Sequence, residues 1–239
     1  MLPRRGAGQN KCHCRHSPGT VARGATASPG IGPGLFCSGL ALYSGGPGMK
    51  RPRLVIIFGL IASGKTTLAQ ALGQSQGWPV VHSDVVRKTL VGVPLTQRVE
   101  VPYGQGIYAV EFSARTYEKM FRQAKDYLQS GQSVILEGSF MRAADRFQAR
   151  ELAAAGQAQV FFILCACDPE ETLRRLARRT VNSQAISDGR QEILAAQRQI
   201  FEPITDLAET PVLILDTNRP PEEVLTEALG FLKPEIEVS

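Results

Sequence analysis

The chain has five cysteines in 239 residues, too few for a disulfide framework. No run approaches the roughly 20 uninterrupted apolar residues that a membrane-crossing helix needs, so no membrane partner is expected. Acidic residues are missing from the first 48 positions, where Arg4, Arg5, Lys11, Arg15 and Arg23 stand unopposed. Those bases account for the whole net charge of +5, because the remaining 22 Lys and Arg meet 22 Asp and Glu. A basic chain ordinarily points to nucleic acid. Here the part able to build a core is neutral, and that inference loses most of its weight. A hydrophobic fraction of 43% excludes disorder throughout.

The acid-free segment is also where glycine and proline concentrate, with 11 of 23 Gly and 5 of 15 Pro. It has neither a helical nor a strand period and too little apolar surface to offset the entropy of ordering. Residues 1–48 are therefore expected to be a disordered Gly/Pro-rich basic segment, and 49–239 a single domain. Cys12, His13, Cys14 and His16 cluster tightly, but their spacing matches no usual zinc site. A targeting role lacks the amphipathic pattern of a transit peptide. Met49-Lys50-Arg51-Pro52 runs directly into an apolar stretch, as a native start does, so the segment need not be translated at all.

From Arg53 the chain alternates short apolar runs with helical patterns. Strands are expected at Arg53–Phe58, Pro79–His82, Val134–Leu136, Val160–Cys165 and Val212–Leu215. Helices are expected from Thr66 to about Gly77, and over Val85–Leu90, Glu111–Gln129, Arg142–Ala155, Pro169–Arg179, Asp188–Phe201 and Pro221–Leu232. Val93–Tyr108 reads as a loop. This alternation predicts an α/β fold in which a parallel sheet has helices on both faces.

Gly59-Leu60-Ile61-Ala62-Ser63-Gly64-Lys65-Thr66 matches G-x-x-x-x-G-K-[ST] in full, between an expected strand and an expected helix. Gly59 and Gly64 free the backbone to curl, so that successive N–H groups face one concavity. The helix N-terminus adds its partial positive charge. Lys65 supplies a point charge to β- and γ-phosphates, and the Thr66 hydroxyl can ligate Mg²⁺. The nucleotide-binding segment is expected to run from Gly59 through Thr67.

Acids follow the next two strands. Asp84 comes after Val80-Val81-His82-Ser83, with Arg87 one helical turn on. Such a pair can hold a hydroxyl and an anionic group of one substrate; alternatively Asp84 N-caps the helix that follows. Glu137 ends the third strand, where a Mg²⁺-shell acid stands in phosphate enzymes, or where a salt-bridge partner does. Arg174, Arg175, Arg178 and Arg179 crowd like charges at i,i+4 spacing. They read as a lid that neutralises a transferring phosphoryl group, or as the solvated face of a helix packed through Leu173 and Leu176. His82-Ser83-Asp84 is no triad, since strand neighbours point to opposite faces. Cys165 and Cys167 read as core thiols, and Trp78, Phe161 and Phe162 as packing residues.

The segments GLIASGKTTLAQAL, VVHSDVVRK, YGQGIY, SVILEGSFMR and FEP together resemble a family of small P-loop kinases. These are bacterial ATP-binding kinases, also seen fused to aminoglycoside-phosphotransferase-like domains. More distant kin are polynucleotide 5′-kinase, zeta toxin and chloramphenicol phosphotransferase. The resemblance covers about residues 53–233. It implies a P-loop NTPase fold of the nucleoside-monophosphate-kinase type, a five-stranded parallel sheet of order 2-3-1-4-5. It also implies that Asp84 deprotonates the acceptor hydroxyl and that Arg87 binds an anionic group of the acceptor. Glu137-Gly138-Ser139 is similar to the Glu-Gly-Thr segment of zeta toxins, which leaves Glu137 serving metal or substrate.

The resulting expectation is an ATP- and Mg²⁺-dependent phosphotransferase acting on a hydroxyl of a small molecule or nucleotide. Lys65, Asp84, Arg178 and Arg179 would be catalytic, Arg87, Glu137 and Arg142 would bind substrate, and Thr66 and Glu137 would serve the metal. Acceptor identity would reside in the Val93–Tyr108 loop and around Arg142. The protein is expected to be a cytoplasmic monomer, and the neutral charge of residues 49–239 disfavours a nucleic-acid end as acceptor. The rival expectation is a switch that hydrolyses ATP to regulate a partner; it needs a water-positioning residue but no acceptor base.

Overall fold

Arg53–Phe58 forms β1, and every residue from Leu54 to Phe58 is fully buried. A continuous apolar run becomes a strand here because both of its faces are covered. Leu54, Ile56 and Phe58 enter one core and Val55 and Ile57 the opposite one, the alternation of period two that a strand imposes. The computed structural model describes residues 51–97, 99, 101–102, 104–181 and 191–233. The expectations for residues 1–48, for the side chain of Arg179 and for the helical start at Asp188 lie outside the described residues.

The remaining elements are α1 (Lys65–Gln76), β2 (Val80–His82), α2 (Ser83–Leu90), α3 (Val110–Gln129), β3 (Val134–Glu137) and α4 (Ala143–Ala155). They are followed by β4 (Gln159–Ala166), α5 (Pro169–Val181), α6 (Gln191–Ile200), β5 (Val212–Asp216) and α7 (Pro221–Phe231). All strand pairs are parallel, in the order β2-β3-β1-β4-β5. One face carries α3 and α4, whose Tyr117, Met120, Ala124, Leu128, Ala149 and Ala153 pack on β1 and β3. The other carries α1 and α7 through Leu68, Leu72, Val224, Ala228 and Leu232. Order 2-3-1-4-5 makes the chain cross from one side of β1 to the other, and the crevice at such a crossing is where open α/β sheets bind ligands.

A third, smaller core joins Ile61 and Ala62 of the loop after β1 to Leu176 of α5 and to Ile193 and Leu194 of α6. It docks the arginine-bearing helix and its successor on that loop. Among the described residues, no helix is long and apolar enough to cross a membrane.

Three local expectations change. Helix α2 starts at Ser83, not Val85, and its N-cap residue is His82, so Asp84 lies inside the first helical turn and is not the N-cap. Arg142 is not a residue of α4 but its N-cap, in extended backbone. The arginines of α5 are less crowded than their spacing implied. Arg174 pairs with Glu170 at 3.6 Å and Glu171 at 3.3 Å, and Arg175 with Glu171 at 3.0 Å. Acids one turn earlier offset the repulsion.

Candidate active site

The loop between β1 and α1 has a shape only its sequence permits. Gly59 has φ 135°, and a Cβ there would lie 2.7 Å from the Cys165 carbonyl oxygen of β4. Gly64 caps α1 at φ 86°. Both positions therefore need glycine. Two distant side chains complete the loop. The Thr217 hydroxyl, just past β5, bonds to the Ser63 carbonyl at 2.9 Å. The Ile61 N–H donates to Gln197 Oε1 of α6 at 2.8 Å. Lys65 Nζ donates to the Leu60 carbonyl at 2.6 Å, which holds the ammonium over the loop.

A cavity of about 180 Å³ opens beside this loop at the carboxyl ends of the strands. It brings together Lys65, Thr66, Asp84, Arg87, Glu137 and Arg142, six of the residues singled out in the sequence. Gly104 and Tyr108 line it from the loop expected to set acceptor identity. That loop is pinned by Lys88, a buried lysine whose Nζ donates to the carbonyls of Leu95 at 3.0 Å and Gln97 at 2.8 Å. Arg178 is not in this cavity. It lies with Thr67, Glu171, Arg175, Thr217 and Arg219 in a second hollow on the other side of the loop.

Arg87 is 8% exposed and pairs with no carboxylate among the described residues. Its Nη1 donates to the Ile107 carbonyl and, at 3.2 Å, to Ser113 Oγ, and its guanidinium covers the Tyr108 ring at 5.1 Å. Among the described residues its Nε has no hydrogen-bond partner. A buried cation balanced only by neutral groups suits an anionic ligand. Ser63 Oγ of the loop is likewise buried without a partner. Two of the three such atoms among the described residues thus fall at this site, and groups of this kind call for a functional account.

Glu137 stands opposite His82 in the β2–β3 register, and His82 Nδ1 bonds to its Oε2 at 3.0 Å. The sequence reading missed His82; its signal was the equal position of the two residues at the ends of neighbouring strands. The pairing leaves Glu137 Oε1 for the cavity. Together with the Thr66 hydroxyl this is a sparse, oxygen-only donor set, and the described residues contain no cluster of three or more His, Cys, Asp or Glu able to hold a metal. Such a set fits Mg²⁺, which keeps several waters and is bound mainly through substrate phosphates.

Further residues enter the wall unforeseen. Tyr117 shares a 3.1 Å hydrogen bond with Ser139 Oγ and accepts from the Phe140 N–H at 2.9 Å. Burial pushes its hydroxyl up to about 12, and the nearby Asp145 charge adds to the rise. Asp145 itself is raised by burial, against the pull of Arg142 and Arg146. The start of α4 is fixed from outside the helix. Glu202 accepts from the Ala143 N–H, and its own N–H bonds to the Met141 carbonyl at 2.9 Å. Arg146, fully buried, reaches Asp206. This is the physical content of the Phe201-Glu202-Pro203 segment.

A glycine-rich loop on the central strand of a 2-3-1-4-5 parallel sheet, with its lysine and threonine facing a cavity at the switch point, defines a P-loop NTPase fold. A family model described as an AAA domain matches residues 54–204, and the chain belongs to that family. Uncharacterized proteins of Mycobacterium tuberculosis and Mycobacterium bovis are 29% identical over 144 residues, 60% of this chain. The match spans only 28% of the length of those relatives. Among solved structures, a sugar kinase from Janibacter sp. HTCC2649 matches with TM-score 0.55 and 21% identity, over 76% of this chain and 94% of that one. The APS kinase of Mycobacterium tuberculosis, in complex with AMPPNP and APS, gives 0.56 and 19%, over 77% and 99%. A gluconokinase from Sinorhizobium meliloti 1021 gives 0.54 and 20%, over 77% and 93%. At these identities the likeness is one of fold.

Proposed function

We propose that the protein is an ATP- and Mg²⁺-dependent phosphotransferase that moves the γ-phosphoryl group to a hydroxyl of a small molecule or nucleotide. The observation that carries this reading is the shared cavity, which faces the lysine of the phosphate loop with Asp84 and with a buried Arg87 that has no carboxylate partner among the described residues. The solved kinases of the same fold, named for sugar, gluconate and APS, support it.

In this reading the segment from Gly59 to Thr67 holds the triphosphate, chiefly through the N–H groups that open α1, and Lys65 turns from the Leu60 carbonyl to the β- and γ-oxygens. Mg²⁺, when bound, neutralises charge on those oxygens, with Thr66 and Glu137 as its protein partners. Arg87 holds an anionic group of the acceptor, and Arg142 borders it. Asp84 accepts the hydroxyl proton as the acceptor oxygen bonds to the γ-phosphorus and the bond to the ADP oxygen breaks. The second hollow, with Arg175 and Arg178, takes the rest of the nucleotide. A cytoplasmic, monomeric enzyme belongs to the same reading.

Asp84→Asn separates this enzyme from an ATP-hydrolysing switch. General-base catalysis is worth about 10²–10⁴-fold, so kcat for transfer to a working acceptor falls by that order while nucleotide affinity barely changes. The acceptor is found by incubating labelled ATP with antibiotics, sugar nucleotides, sugars and oligonucleotide 5′ ends. Unchanged transfer in the variant removes Asp84 from the chemistry and favours the switch.

A further inference from the structure

Gln197 is 9% exposed and lies four residues, one helical turn, beyond Ile193, which with Leu194 packs on Ile61 and Ala62. Its carboxamide oxygen accepts the Ile61 N–H at 2.8 Å across 136 residues of sequence. Its amide nitrogen makes no hydrogen bond among the described residues, although the residue lines the cavity that contains Lys65 and Asp84. A side-chain amide has two donors to offer. With its oxygen satisfied by the loop, its NH₂ is left to donate to whatever occupies the cavity.

The position along the phosphate loop indicates which acceptor. Gly64 to Thr67 open α1, so theirs are the N–H groups that inner phosphates would meet. Ile61 comes three residues before Gly64, on the side of the loop that borders Asp84, and Gln197 is absent from the hollow that holds Thr67, Arg175 and Arg178. A donor anchored at Ile61 therefore meets the outermost phosphate. We infer that Gln197 is a γ-phosphate ligand, its oxygen fixed by the Ile61 N–H and its NH₂ donating to a terminal phosphoryl oxygen. The inference rests on the nucleotide reading above and adds to it a residue from α6. Because α5 shares the same small core through Leu176, this ligand also keys the arginine-bearing helix to the terminal phosphate.

The test compares AMP-PNP with ADP by titration calorimetry on the full chain in Mg²⁺. Gln197→Glu keeps an acceptor for Ile61 but replaces the donors with an anion; Gln197→Met keeps the size and removes both functions. Affinity for AMP-PNP is expected to fall by about tenfold or more in each variant, the scale of a lost hydrogen bond to a charged group, while ADP affinity shifts less than twofold. Melting curves identify a variant that has lost its fold, and the comparison is read on the one that melts cooperatively. An AMP-PNP to ADP ratio equal to that of the unaltered protein overturns the inference, as does an equal loss for both nucleotides, which is the mark of a purely structural bond to the loop. An unaltered protein that binds neither nucleotide refutes the nucleotide reading itself and takes this inference with it.

Discussion

Replacing Asp206 by Leu strands a buried charge. The Arg146 guanidinium is 0% exposed, and its Nε and Nη2 reach the two Asp206 carboxylate oxygens at 2.7–3.2 Å. Its other donors meet the carbonyls of Phe140 and Pro203, each at 2.9 Å. After Asp206→Leu only neutral carbonyls hydrogen-bond to the cation, and the nearby Asp145, itself pushed toward its neutral form, offsets little of its charge. Removing one partner of a buried pair costs about 3–5 kcal/mol. Asp206 is 19% exposed, so the site is not wholly dry and the lower part of that range applies. For a domain of this size each kcal/mol moves Tm by about 2–4 °C, which puts the drop at roughly 6–15 °C. Arg146→Met should cost less, because the carboxylate it leaves behind can draw on water. The double variant, which removes the stranded charge, should be more stable than the sum of the two losses by more than about 0.5 kcal/mol, the scatter of independent sites. Urea unfolding followed by circular dichroism supplies all three values. Additivity within that scatter, or a smaller loss for Asp206→Leu than for Arg146→Met, refutes the argument. The functional consequence is separable. The same segment fixes the start of α4, so variants that remain folded should show a raised acceptor KM with nucleotide affinity intact.

Lys65→Ala should leave the melting curve in place and abolish detectable phosphoryl transfer in the labelled-ATP assay; near-normal transfer would mean that the loop has been misread. A protein beginning at Met49 should keep its Tm and its affinity for AMP-PNP, and a fall of more than a few degrees would show that the preceding residues pack on the domain. Asp145 gives a pH signature. Its folded pKa is raised by burial, so the folded state holds its proton to higher pH than the unfolded chain does, and stability declines as pH rises from the ordinary aspartate value through the raised one. Asp145→Asn should therefore raise Tm at pH 7 and leave it unchanged near pH 3, where the carboxyl is protonated in both states; an equal shift at both values contradicts the assignment.

The strands, the phosphate loop and the helices were legible because each is announced locally, by an apolar run, a glycine spacing or a helical period. The strand order came from resemblance, since no local pattern encodes which strand lies beside which. The start of α2 was misjudged by two residues because Ser83-Asp84 favours caps and first turns alike, and only the backbone decides between them. Glu170 and Glu171 were in plain view one turn before the α5 arginines, so the relief of like-charge crowding could have been read from i,i+4 spacing alone. His82, Gln197 and Thr217 were not recoverable in that way. Each acts on a residue far along the chain, and its meaning exists only after the sheet has set the register. A polar residue on the apolar face of α6 was the one local hint, and it pointed to Gln197 without saying what it touches.

The bond from Thr217 to Ser63 spans 154 residues, and that from Ile61 to Gln197 spans 136. During synthesis the phosphate loop is made early, but the groups that shape it arrive near the other end of the chain. At about 5–20 residues per second, Thr217 follows Ser63 by roughly 8–30 s. For most of that interval Leu54–Phe58, the most thoroughly buried strand of the finished protein, waits for its β4 neighbour, and its helical cover is incomplete until α7 follows Thr217. A nucleotide cannot rescue such a nascent chain by binding early, because the phosphate loop still lacks the groups that shape it. The burden of keeping that strand from sticking to others falls on chaperones and on the speed with which α1 and β3 close over it.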